Sequence, residues 1–89
     1  MNQQISTNPE FPNIIYRRGA SGVLSPILLG TGIRVQTIVI AFENNTPLEI
    51  AEDYGLSEEQ VHEALRFYEV YRREIDAQIQ EEADLESGR

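Results

Sequence analysis

The stretch "IAEDYGLSEEQVHEAL", Ile50 to Leu65, decides how this chain folds. Two helices that meet at a sharp angle need a small residue where they cross. They also need a left-handed residue in the turn and an apolar residue that returns to the first helix. Ala51, Gly55 and Val61 meet those three demands in order, with Ile50, Leu56 and Leu65 adding apolar support. Each helix start carries a capping box. Thr46 stands three residues before Glu49, with Pro47 at the first helical position, and Ser57 stands three before Gln60, with Leu56 and Val61 at staple positions. The spacing predicts a helix from Pro47, a stop at Gly55, and a second helix after Ser57.

Upstream, Val35, Ile38, Val39 and Phe42 recur at helical intervals, although their β-branched character leaves a strand open. Asn44-Asn45 ends that element in either case. Earlier still, Asn13-Ile14-Ile15-Tyr16 and Ile27-Leu28-Leu29 are apolar runs that can pair as a hairpin. Pro26 confines the second run to an edge, and Gly30-Thr31-Gly32 breaks the chain after it. Downstream, Val61, Leu65, Tyr68, Tyr71, Ile75 and Ile79 step by threes and fours, which predicts one long helix. Glu69 with Arg73 and Arg72 with Asp76 form i, i+4 pairs on its solvent side. That helix outruns what a three-helix core needs, and an isolated overhang is marginal in water. Its stripe must be covered by a second copy, by another protein, or by the N-terminal strands folding back; contact with a partner is the reading taken. The expectation is a mainly α protein: a trihelical helix-turn-helix core with a short N-terminal β segment and an extended C-terminal helix. Residues 1–12 are expected as a flexible arm, 13–70 as the helix-turn-helix-like domain, and 71–89 as an acidic helix for partner contact.

Eighty-nine residues allow one domain and one small core. No apolar run approaches the roughly 18–20 residues of a membrane span, and Met1 to Glu10 does not read as a secretion signal. The chain has no cysteine, which removes disulfides, thiol chemistry and the usual structural zinc ligands, and fits a cytoplasmic protein. The net charge of −8 is uneven. Residues 1–46 set Arg17, Arg18 and Arg34 against Glu10 and Glu43, for +1, while residues 47–89 set four Arg against thirteen acids, for −9. Such a surface repels a polyanion and attracts basic proteins. Ser57, Glu58, Glu59, His62, Glu63 and Arg66 are expected to point outward from the second helix, a footprint of the wrong sign for base readout. The nucleic-acid candidates are therefore Arg17, Arg18 and Arg34. The partner-contact candidates are Tyr71, Ile75, Ile79, Glu82 and Leu85. No nucleophile–base set, phosphate loop or metal-ligand spacing is present, so the expectation is no enzyme, no cofactor, no metal and no small-molecule substrate.

The order "SPILLGTGIRV", then a helix, then "TPLEIAEDYGLSEEQVHEALRFYEVYR" resembles the domain of unknown function 433 family, over about Asn13 to Arg73. Gly30, Thr31, Ile33 and Val35 match a Gly-Thr-Arg-Ile-Pro-Val-like signature; Gly32 stands where that family often has Arg, and Arg34 where it often has Pro. The resemblance implies a homeodomain-like fold and a non-catalytic, antitoxin-like protein that forms a homodimer. The acidic C-terminal helix would bind a basic, nuclease-like toxin, and DNA binding by the dimer would allow autoregulation. A DNA-binding regulator without a toxin partner, and a scaffold used only for protein–protein contact, are the alternatives.

Overall fold

The computed structural model describes residues 7–19, 22 and 24–87, with the side chains of residues 7, 8, 82 and 84–87 left aside. The chain is mainly helical with a short antiparallel sheet. Strands β1 (Thr7–Asn8), β2 (Phe11–Arg18) and β3 (Leu24–Leu28) precede helices α1 (Val35–Ala41), α2 (Pro47–Tyr54), α3 (Glu58–Val70) and α4 (Arg72–Ser87). The sheet order is β1-β2-β3, so Pro26 lies in an edge strand, where its missing N–H costs no ladder bond. The register sets Ile14 opposite Leu28, Tyr16 opposite Pro26 and Arg17 opposite Ser25. This is the hairpin expected from the two apolar runs.

After β3 the chain reverses at once. The Leu28 carbonyl accepts from the Thr31 N–H (3.1 Å) and hydroxyl (2.8 Å), and the Leu28 N–H returns to the Ile33 carbonyl at 2.8 Å. Gly30 (φ 81°) and Gly32 (φ 75°) take the left-handed angles that the turn requires. Arg34 then bridges to Ile27 across β3 and leads into α1, which is a helix and not the strand its β-branched residues left open.

Both capping boxes form. Thr46 Oγ1 accepts from the Glu49 N–H at 3.2 Å while the Glu49 carboxylate accepts from the Thr46 N–H at 2.9 Å; Ser57 and Gln60 repeat the exchange at 3.1 and 2.9 Å. Gly55 ends α2 at φ 68°, and the Leu56 N–H closes onto the Ala51 carbonyl at 2.9 Å. Every element with a buried side contributes to one core: Phe11, Ile14 and Leu28 from the sheet, Val35, Ile38 and Val39 from α1, Ile50 and Ala51 from α2, Val61, Ala64 and Phe67 from α3, and Ile75 from α4.

Two expectations are corrected. The segment read as a flexible arm through residue 12 supplies β1 and the core residue Phe11; residues 1–6 lie outside the described residues. The long helix is two helices that meet at Tyr71, whose φ of −113° and ψ of 39° leave the helical region. Bending lets Ile75 reach full burial and lets the Tyr71 ring lie 4.6 Å from Phe67 and 6.4 Å from Phe11. Burying an Ile is worth about 2–3 kcal/mol and an aromatic pair about 0.5–1.5. The helix bonds lost at a bend are each worth about 1 kcal/mol net, because water replaces them. The bend therefore wins, and residues from Tyr71 to Ile79 belong to the domain and not to a projecting rod.

Candidate functional site

The outer side of α3 is shouldered by β2. The Glu63 carboxylate accepts from the Asn13 backbone N–H at 3.0 Å through Oε2 and from the Asn13 side-chain amide at 2.9 Å through Oε1. Glu63, expected to point outward, is only 6% exposed. A buried carboxylate must find donors, and the start of β2 supplies them. Beside this junction lies a shallow cavity of about 410 Å³, walled by Asn13, Glu59, His62, Glu63 and Arg66 and floored at the Ser57–Gln60 cap. Of the residues expected to point outward from α3, Glu58, Glu59, His62 and Arg66 are exposed and keep the acidic balance read from the sequence.

The three candidate arginines do not act as one group. Residues facing each other in an antiparallel ladder share a face, and alternate residues change face. Arg17 pairs with Ser25 and Arg34 with Ile27, so both lie on the sheet face opposite Ile14, Tyr16 and Leu28. Strand spacing of about 4.8 Å and rise of about 3.3 Å place their Cα atoms roughly 12 Å apart. On the same face Ile27 is buried and Ile15 half-buried. Arg18 lies on the other face, where its guanidinium donates to the Gly22 carbonyl at 2.5 Å and clasps the hairpin turn.

The C-terminal candidates divide differently. Ile75 is fully buried, and Tyr71 and Ile79 are half-buried against the same core, so that stripe is taken by the chain itself. Glu82 and Leu85 belong to α4, but their side chains fall outside the described residues. What α4 turns outward includes Arg72, Arg73, Asp76, Gln80 and Glu81. The expected Arg72–Asp76 pair meets through a third group. Tyr68 donates its hydroxyl to Asp76 Oδ1 at 2.7 Å and accepts from Arg72 at 3.4 Å, with the guanidinium 4.7 Å over the ring.

Tyr16 ties β2 to α4 by donating its hydroxyl to Glu74 Oε1 at 2.9 Å. Burial first, and then that bond and the Glu74 charge, push its phenol well above the ordinary 10.0. The unfolded chain ionises this tyrosine earlier than the folded one does. Its stabilising contribution is thus complete below pH 10 and declines as the pH rises through the folded-state value. Denaturant titrations above pH 10 should show Tyr16→Phe losing stability more slowly than the wild type; parallel alkaline arms would remove Tyr16 as the cause. Neither Asn13 nor Tyr16 was singled out from sequence, because their partners stand 50 and 58 residues away.

Among the described residues, no group of three or more His, Asp or Glu side chains could hold a metal ion, and no helix is long and apolar enough to cross a membrane. Residues 25–68 match the family model described as a protein of unknown function, DUF433. The chain belongs to the DUF433 family. Neither a curated protein nor a solved structure matches it. The DUF433 segment runs from β3 through α1 and α2 to Tyr68 of α3. Asn13, Arg17, Arg18, Tyr16 and all of α4 stand outside it, whereas Glu63 and Arg34 stand within.

Proposed function

We propose that this DUF433 protein is a non-catalytic, antitoxin-like binding protein whose acidic helical side engages a basic protein partner such as a nuclease-like toxin. The supporting observation is the division between apolar and charged surface on α4. Among the described residues its apolar stripe of Tyr71, Ile75 and Ile79 packs against the core, so what it turns outward is mainly charged and polar, and residues 47–89 carry −9. Carboxylates on such a face would oppose the field by which a basic groove draws in a polyanion. In this reading α1–α3 is a homeodomain-like helix-turn-helix used as a scaffold. Support comes from β2, which pins Glu63 and walls the outer side of α3 where bases would have to approach.

The test is co-purification of the full chain with the product of an adjoining reading frame. A basic partner should be retained, and its affinity should fall at least tenfold between 0.05 and 0.5 M salt. The same loss should follow the charge reversal Asp76→Arg/Glu81→Arg. A complex indifferent to both salt and charge reversal refutes the reading.

A second reading has its own support. Arg17 and Arg34 are exposed and share one sheet face, an arrangement suited to phosphate contacts by a β-ribbon in a dimeric, DNA-binding regulator. Arg17→Ala should then weaken binding to an upstream DNA fragment and flatten its salt dependence by about one unit of slope. Arg18→Ala should do much less, since Arg18 is engaged at the hairpin turn. Equal effects of the two substitutions would dismiss the sheet face as the DNA contact.

A further inference from the structure

We infer that α4 can be exchanged between two copies of this chain, giving a dimer in which α3 and α4 join as one straight helix. The hinge is a single residue. The Tyr71 N–H still bonds the Phe67 carbonyl at 2.9 Å, and the ladder resumes four residues on, from the Ile75 N–H to the Tyr71 carbonyl at 3.1 Å. In between stand three N–H groups, of Arg72, Arg73 and Glu74, which open α4. Three carbonyls, of Tyr68, Glu69 and Val70, close α3. Helix ends leave such groups without partners inside their own helix. Straightening would pair them donor to acceptor in register.

The sequence carries no breaker at the bend: Glu69 to Glu74 contains neither Gly nor Pro, and the apolar stripe from Val61 to Ile79 keeps one helical phase across it. Local preference thus favours a straight rod, and the seating of Ile75 and of the Tyr71 ring against the core imposes the bend. At the bend lies an open concavity of about 540 Å³ bounded by Glu69, Arg72, Arg73 and Glu74, and Val70 beside it is 59% exposed.

A lone chain cannot straighten without withdrawing Ile75 from its core. Two chains can, because each receives the α4 of the other. Ile75 is buried again, and the Tyr16–Glu74 and Gln78–Leu24 bonds re-form between copies. The bond from Tyr68 to Asp76 belongs to the bent form, since it joins residues eight apart across the elbow, and so does the seating of the Tyr71 ring against Phe11. A second copy is therefore the one partner that fits the vacated groove without any new complementarity, which is the logic of domain swapping. This mode of association does not depend on whether the partner proposed above is a nuclease.

Sedimentation velocity of the full chain over a range of concentrations, repeated on variants, tests the proposal. Wild type should show monomer and dimer that interconvert over hours, because exchange requires α4 to leave the core. Arg73→Pro is compatible with the first turn of α4 but clashes with the Glu69 carbonyl in a straight helix, so it should lower dimer affinity more than tenfold. Inserting Gly-Ser-Gly after Tyr71 relaxes the hinge and should do the same, which keeps the test decisive if the proline variant folds poorly. Tyr68→Phe removes the bond peculiar to the bent form and should raise the dimer fraction. A wild type that stays monomeric to 1 mM, or a dimer that survives both hinge variants unchanged, overturns the proposal.

Discussion

Phe67→Ala is expected to leave the protein largely unfolded at 37 °C. Phe67 is 1% exposed and is the meeting point of three other rings: Phe11 at 5.3 Å edge-on, Tyr16 at 6.2 Å and Tyr71 at 4.6 Å. Those rings come from β2 and from the elbow between α3 and α4, so one side chain fastens both ends of the chain to the helical centre. Truncating a buried Phe costs about 3–5 kcal/mol through lost transfer energy and the cavity left behind. A chain of this length has about 4–13 kcal/mol in total, at ~0.05–0.15 kcal/mol per residue. The midpoint of thermal unfolding should fall by roughly 15–30 °C, and near-ultraviolet circular dichroism from the tyrosines should collapse with it. Phe67→Leu, which refills most of the space, should recover the larger part of the loss. A fall of less than 5 °C for Phe67→Ala would mean that the ring cluster does not hold β2 and α4 in place.

The cluster also shows where sequence reasoning succeeds and where it stops. Periodicity, capping boxes and the left-handed glycine report interactions within about four residues, so Thr46–Glu49, Ser57–Gln60 and Gly55 could be read directly and the boundaries of α2 and α3 followed. The hairpin was legible for a similar reason, since two apolar runs flank a glycine-bearing connection and Pro26 marks the edge. The bend at Tyr71 was hidden because nothing local causes it. Residues Glu69 to Glu74 favour continuous helix, and the preference is overruled by Ile75 and the Tyr71 ring seating against a core whose residues lie as far back in the chain as Phe11. Phe11 was missed in the same way. It stands alone between Glu10 and Pro12, without a periodic neighbour, and its burial depends on Phe67 and Tyr71. For the candidate sites, residue type was informative and facing was not. Arg17 and Arg18 are adjacent in sequence, but the two-residue period of a strand sends them to opposite faces, and the register needed to say which faces the core comes from the pairing of Ile14 with Leu28.

Glu63 makes the second large effect, and here the expected outcome turns on which partner is removed. Glu63→Ala takes away the carboxylate that accepts from the Asn13 N–H and side-chain amide, along with the buried stem of the glutamate. Hydrogen bonds to a charged acceptor are worth about 1.5–3 kcal/mol each, but Asn13 is solvent-exposed, so water replaces part of what is lost. A net destabilisation of about 2–4 kcal/mol is expected. Asn13→Ala removes only the amide bond and keeps the backbone N–H on the carboxylate; about 1 kcal/mol is expected. Combined in one chain, the two substitutions should cost less than the sum of the singles by about 0.5–1.5 kcal/mol, the signature of groups that interact directly. Glu63→Gln separates charge from shape. Its single carbonyl can still accept from the backbone N–H while Asn13 turns its own oxygen toward the new amide, so the loss should be near 1 kcal/mol. Hydrogen exchange supplies the second readout: the amide of Asn13 and those of its strand neighbours should lose protection in Glu63→Ala and keep most of it in Glu63→Gln. If Glu63→Ala is no worse than a surface substitution, within about 0.5 kcal/mol, then β2 is held to α3 by the apolar contacts of Ile14 and Phe11 alone. The wall that this junction builds beside α3 would then be free to move aside, and the case for α3 as a scaffold helix would lose its main support.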